Sequence, residues 1–149
     1  MKNTLIIIVL SFFSSYVFSQ AVVPDAIKTK FAALYPTAKV TEWESLDGFY
    51  GASFEENDLE ISVVLSRDGR VVATETEIAL TLLPAGVNDY FKAKANGNKI
   101  SEASKIVRAD GHITYEVEVN NVDYLFDEMG HYLSQQTEDE DDEDDENDD

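Results

Sequence analysis

The chain contains no cysteine. That excludes disulfides, thiolate metal sites, a cysteine nucleophile and a lipid-modified N-terminal cysteine. Basic residues are scarce: 11 Lys and Arg stand against 30 Asp and Glu, a formal net charge of -19. Eleven of those acids fall in the last twelve residues, Glu138 to Asp149, which leaves 19 acids against 11 basic residues in positions 1–137, a net of -8. Such a field repels phosphate backbones, so nucleic acid is not an expected partner, whereas basic proteins and divalent cations are favoured. No uninterrupted apolar run approaches the roughly 20 residues needed to span a bilayer.

The longest apolar run stands at the start. Met1-Lys2-Asn3 is a short basic segment, Leu5 to Phe13 is apolar, and Val17-Phe18-Ser19 supplies modest side chains before Gln20. This is the layout of an export signal over residues 1–19, cleaved before Gln20. It predicts a periplasmic or secreted protein with no stable membrane insertion after cleavage. Without disulfides, its core alone must hold it together. The composition, 44 % hydrophobic and 11 % aromatic, is sufficient for one compact unit.

From residue 24 the pattern becomes regular. Pro24 opens a helix, and Ile27, Phe31 and Leu34 recur at spacings of four and three, an apolar stripe. Pro36 ends the helix at Tyr35. The period then changes to two. Strands are expected over Val40 to Leu46, Phe49 to Glu56, Leu59 to Ser66 and Arg70 to Ile78, separated by turns at Asp47-Gly48, Asn57-Asp58 and Arg67-Asp68-Gly69.

The programme then repeats. Leu83-Pro84 opens a second helix with Val87, Phe91 and Ala95 in one stripe and Tyr90 beside it, closed by Asn96-Gly97. Strands follow over Lys99 to Val107, His112 to Val119, Val122 to Phe126 and His131 to Gln136. Pro24, Ile27, Phe31 and Val40 lie 60 residues before Pro84, Val87, Phe91 and Ile100. Length differences between the copies fall near turns, where insertions are tolerated. The expected fold is α+β: a tandem repeat (23–82 and 83–137) of one helix plus four antiparallel strands, about eight strands in all, with both helices on one face. The other face is then free, broad and acidic. Together the repeats make a domain over 20–137, followed by an acidic tail, 138–149, too charged to fold.

The spacing Val23-Pro24-x-x-Ile27, with Leu34-Tyr35-Pro36-x-Ala38-x-Val40, Tyr115-Glu116-Val117-Glu118-Val119 and Asp127-Glu128-Met129-Gly130-x-Tyr132-Leu133, resembles the PepSY-like family, which is described as beta-lactamase-inhibitor-like. The resemblance covers nearly all of the globular part. It implies a tandem α/β repeat, an exported bacterial location and no established catalytic function. Related PepSY domains occur beside secreted peptidases, and beta-lactamase inhibitory proteins of similar architecture dock on an enzyme through an open sheet face. The shared motifs are helix starts, helix stops and hairpin glycines, so they imply fold rather than activity, and no catalytic residues carry over.

Side-chain chemistry offers few alternatives. His112 and His131 each follow a turn glycine and read as strand-end residues rather than metal ligands. Ser53 and Ser62 lack the flanking glycines of a nucleophile elbow. Glu42, Glu44, Glu55, Glu60, Glu75 and Glu77 lie on neighbouring strands and read as a solvated sheet face; a carboxylate-dependent hydrolase is the less favoured use of them. Trp43 and Phe49, in the first hairpin, are the candidate partner-binding anchors, because aromatic residues are enriched at binding hot spots. The acids Glu138, Asp139, Glu140, Asp141 and Asp142 could collect Ca²⁺ weakly, without the turn of a defined calcium loop. The reading that results is an exported non-catalytic module, needing no cofactor, that binds or inhibits another envelope or secreted protein. The alternative is a cation-responsive structural protein acting through its tail.

Overall fold

The computed structural model describes residues 22–46, 48–94 and 99–137. The expected export signal at 1–19, the expected acidic tail with its candidate calcium ligands Glu138 to Asp142, Asp47 of the expected first turn, and Ala95 and Asn96-Gly97, expected to close the second helix, lie outside the described residues. Among those described, the order is α1 (Asp25–Leu34), β1 (Val40–Leu46), β2 (Phe49–Glu56), β3 (Leu59–Ser66), β4 (Val71–Glu77), a short 3-10 turn (Leu80–Leu82), α2 (Ala85–Ala93), β5 (Glu102–Arg108), β6 (Ile113–Glu118), β7 (Val122–Asp127) and β8 (Tyr132–Thr137). The eight strands form one antiparallel sheet in sequence order, β1 to β8. β4 pairs with β5, Ala73 opposite Arg108 through Glu77 opposite Ser104, so the two halves share a continuous ladder.

Each helix begins at its proline. Pro24 and Pro84 are the N-caps, and their carbonyls accept the first helical N–H groups, from Ile27 and Val87. Ile27 and Phe31 of α1 are buried against Ala52, Phe54, Val63 and Leu65. Val87 of α2 is buried with Leu83 against Ala103, Val117, Val119 and Phe126. Burying a side chain such as Phe31, 2 % exposed, contributes about 1.5–3 kcal/mol. One stripe position departs from expectation. Leu34 is 54 % exposed, and the ring that completes the α1 core is Tyr35, stacked on Phe31 with centroids 5.0 Å apart. Pro36 stops the helix there, and turning the chain at Tyr35 swings that ring inward.

The halves repeat down to backbone detail. The loops Asn57-Asp58 and Asn120-Asn121 both carry positive φ at both positions, 55° then 61° in each. This is the type I′ pattern, whose twist matches that of the flanking strands. Register breaks between Val64 and Leu65, and again between Leu125 and Phe126, 61 residues later. The extra residues are Val72 and Leu133, an equivalent bulge in each copy, and the first copy has a further register shift between Val40 and Glu42. The exposed I′ loops give a direct test. Asn121→Gly should leave stability within about 0.5 kcal/mol, whereas Asn121→Val, a β-branched side chain forced into the left-handed region, should cost about 1–2 kcal/mol in urea unfolding.

Candidate functional site

Pairing across the sheet fixes which side chains share a face. One row runs Trp43, Ala52, Val63, Thr74, Val107, Ile113. The next runs Glu42, Ser53, Ser62, Glu75, Ile106, Thr114 and projects the opposite way. Alternation then adds Glu44, Glu60, Glu77, Glu102, Glu116 and Asp123 to this second face. The acids expected on neighbouring strands therefore do meet on one surface, and the second half contributes to it as well as the first.

The expectation that these acids are simply solvated needs correction at the centre of the sheet. Glu75 and Glu116 are each only 7 % exposed, and Asp123 is 8 % exposed. Glu75 stands on β4 and Glu116 on β6, either side of β5, where Ser104 pairs directly with Glu116. A central strand is flanked on both sides, so neighbouring side chains shield its carboxyls in a way an edge strand never experiences. Burial pushes Glu75 up to about 8, against a hydrogen bond from Ser104 and with help from the negative charge of Asp123, Glu102 and Glu60. Glu116 is pushed up to about 9 by burial and by Glu75, Asp123, Glu102 and Glu118. Burial also raises Glu44, Glu60 and Glu102 above the ordinary carboxyl value. The pair is thus held in its proton-bearing form near neutrality. The Oε2 atoms of both residues are buried with no hydrogen-bond partner.

Ser53 and Ser62 are buried on the same face, with Oγ atoms 3.0 Å apart in a mutual hydrogen bond. No histidine stands opposite either serine in the strand pairing. His112 and His131 sit in exposed turns. Their Nδ1 atoms lie 3.1 Å from Asp110 Oδ1 and 2.9 Å from Asp127 Oδ2. Those turn hydrogen bonds hold both aspartates below the usual carboxylate range.

The two aromatic candidates part company. Trp43 shares its row with Ala52, packs edge-on to Phe31 at 5.3 Å and belongs to the α1 core. It is only half-buried, and the Lys28 ammonium stands 6.0 Å from its ring centre. Phe49 lies on the glutamate-bearing face, half-buried against Val64, Ala73, Ile106 and Leu125. Sequence reasoning did not gather this apolar group: alternation along β3 places Val64 on the face of Glu60 and Ser62, but Ala73, Ile106 and Leu125 come from other strands, whose pairing has no local signal. It also missed Glu116 as a site candidate, although its place among Thr114 and Glu118 in a strictly alternating strand put it on the polar face.

Among the described residues no group of three or more His, Cys, Asp and Glu side chains could hold a metal ion, and no helix is long and apolar enough to cross a membrane.

An eight-stranded antiparallel sheet built from two helix-bearing halves defines a small α+β class. The chain belongs to the family described as "Putative beta-lactamase-inhibitor-like, PepSY-like", whose profile matches it twice, over residues 13–73 and 66–136. The double match is the tandem repeat seen again at the level of sequence. Solved structures agree in fold. One from Bacteroides eggerthii, described as of "putative periplasmic proteins", superposes with a TM-score of 0.66 at 24 % identity, covering 76 % of this chain and 88 % of that one. A DUF2874 family protein from Bacteroides uniformis gives 0.65 at 20 % identity, with 76 % and 88 % covered. A BLIP-like protein from Bacteroides fragilis gives 0.54 at 23 % identity, with 82 % and 88 % covered. No curated protein matches the chain.

Proposed function

We propose that this protein is an exported, non-catalytic module that docks another envelope or secreted protein through the glutamate-bearing face of its sheet. The observation that carries the reading is the division of the sheet's two faces. The strand residues packed by α1, Ala52 and Val63, and those packed by α2, Ala103 and Val117, follow one another on the same side of the ladder. This supports reading both helices on that side, with the acidic face and Phe49 left to a partner. Phe49, half-buried at the edge of the buried cluster of Val64, Ala73, Ile106 and Leu125, supplies an aromatic anchor.

A non-catalytic role fits the chemistry of the carboxyls. Glycoside hydrolysis needs one carboxyl protonated and its neighbour ionised, with room for a sugar between them. Here burial raises both members of the central pair. Export rests on the N-terminal segment, with cleavage before Gln20, and agrees with the periplasmic description given to the Bacteroides eggerthii neighbour. The mature domain is taken as 20–137, divided at 82/83.

The test is affinity capture from a native envelope fraction with the full-length chain and two charge-reversal variants. Glu60→Lys with Glu77→Lys, on the acidic face, should lose a partner that the wild type retains. Asp89→Lys, on an exposed part of α2, should keep it. Retention by both variants, or loss only from the α2 variant, would place the contact elsewhere.

A further inference from the structure

We propose that Glu75 and Glu116 form a receptor for one lysine or arginine side chain presented by a basic segment of the docked partner. The proposal rests on the docking-face reading and adds the chemistry of its centre.

Three observations carry it. The two carboxyls are more than nine-tenths buried, yet each leaves Oε2 without a hydrogen-bond partner. Buried polar atoms are nearly always satisfied, and an unsatisfied one costs about 1–3 kcal/mol. A pair of such atoms on flanking strands is an acceptor set waiting for donors. The charge around it has one dominant sign. Glu60 on β3, Glu77 on β4, Glu102 on β5, Glu118 on β6 and Asp123 on β7 all face it; β5 also carries Arg108 toward its far end. Finally, no three-ligand cluster is available for a metal ion among the described residues. Two carboxyl groups astride one serine instead match the several N–H donors of an ammonium or the fork of a guanidinium.

The arriving cation changes the protonation of its receptor. Burial and like charge keep the free pair protonated near neutrality. A cation placed between the two groups favours their ionised forms, so uptake expels protons and binding tightens as pH rises toward 8.

The test is calorimetric titration of the full-length protein with an octalysine peptide, in phosphate and in Tris, whose different ionisation heats report the protons released. Wild type is compared with Glu75→Gln/Glu116→Gln, so that binding to the acidic tail is common to both. The wild type should release about one proton more per peptide and bind about tenfold more tightly at pH 7.5. Thermal unfolding of both proteins confirms that the variant is folded. Equal proton release and equal affinity overturn the proposal. So does calcium chloride alone producing the same Glu75- and Glu116-dependent release, which would make the site one for an inorganic cation. If octalysine ignores the pair while Glu60→Lys/Glu77→Lys still loses the envelope partner, the docking face stands and the receptor falls. If both measurements are insensitive, both fall.

Discussion

Gly130→Ala is expected to destabilise the protein by about 2–5 kcal/mol, well beyond the same change at the other turn glycines. Two effects add. Gly130 has φ +85°, a region that costs an L-residue roughly 1–2 kcal/mol. A Cβ there would also lie 2.8 Å from the backbone nitrogen of Val87 and 3.0 Å from Gly86 Cα. Those are main-chain atoms of the first turn of α2, and Val87 N–H is already committed to the Pro84 carbonyl at 3.1 Å. Nothing flexible can give way, so overpacking adds about 1–3 kcal/mol. The approach is reciprocal, since a Cβ on Gly86 would meet the carbonyl oxygens of Met129 and Gly130 at 2.8 Å. The β7–β8 turn is thereby seated against the helix that covers the second core. Gly111 is the internal control: φ is +87° but nothing lies within 4 Å of its Cβ position, so Gly111→Ala should cost only about 1–2 kcal/mol. At Gly69 the obstacle is the aliphatic stem of the exposed Lys30 side chain, Cβ to Cδ, which can rotate where main-chain atoms cannot. Urea unfolding of the three alanine variants should rank Gly130 far above the others. Equal losses at Gly130 and Gly111 would mean that α2 does not rest on the turn.

The contrast between those glycines marks how far the sequence could be read. Pro24, Pro84 and the paired Asn and Asp turns announce themselves because their backbone requirements are local. The bounds of β1, β2 and β3 follow from alternation between such turns. Contacts set by the pairing of distant strands leave no such local trace. The bulges at Val72 and Leu133 shift register after the turn, so alternation expected to run unbroken from Arg70 does not. Trp43 is drawn to Phe31 by a helix twelve residues earlier, which no strand pattern encodes. The largest gap concerns depth. Alternation assigns Glu75 and Glu77 to one face equally, yet Glu75 is buried and Glu77 only partly so. What separates them is position on the completed sheet, a property of strand order and not of either residue's neighbours in the chain.

That depth has a thermodynamic signature, and replacing both carboxyls should expose it. Glu75→Gln/Glu116→Gln is expected to raise stability by several kcal/mol at pH 8, on the order of 4 kcal/mol for each carboxyl replaced, while changing it little near pH 4.5. The folded pair holds its protons up to about 8 and about 9, whereas the unfolded chain gives them up near the ordinary 4.5. Between those limits the folded state binds more protons, so wild-type stability falls as pH rises through that window. Glutamine has no proton to lose in either state and removes the slope. Asp68, Asp110 and Asp127 act in the opposite sense, being held below their usual value chiefly by hydrogen bonds. Their contribution is lost only as pH falls below about 4, a separate range. Urea midpoints of the two proteins from pH 5 to 8.5 should therefore diverge steadily, and parallel curves would show the pair ionised and hydrated. A more stable variant that binds octalysine about tenfold more weakly would separate the two roles of these residues. Folding alone favours an uncharged amide at both positions, and only an incoming cation makes two carboxylates there the better choice.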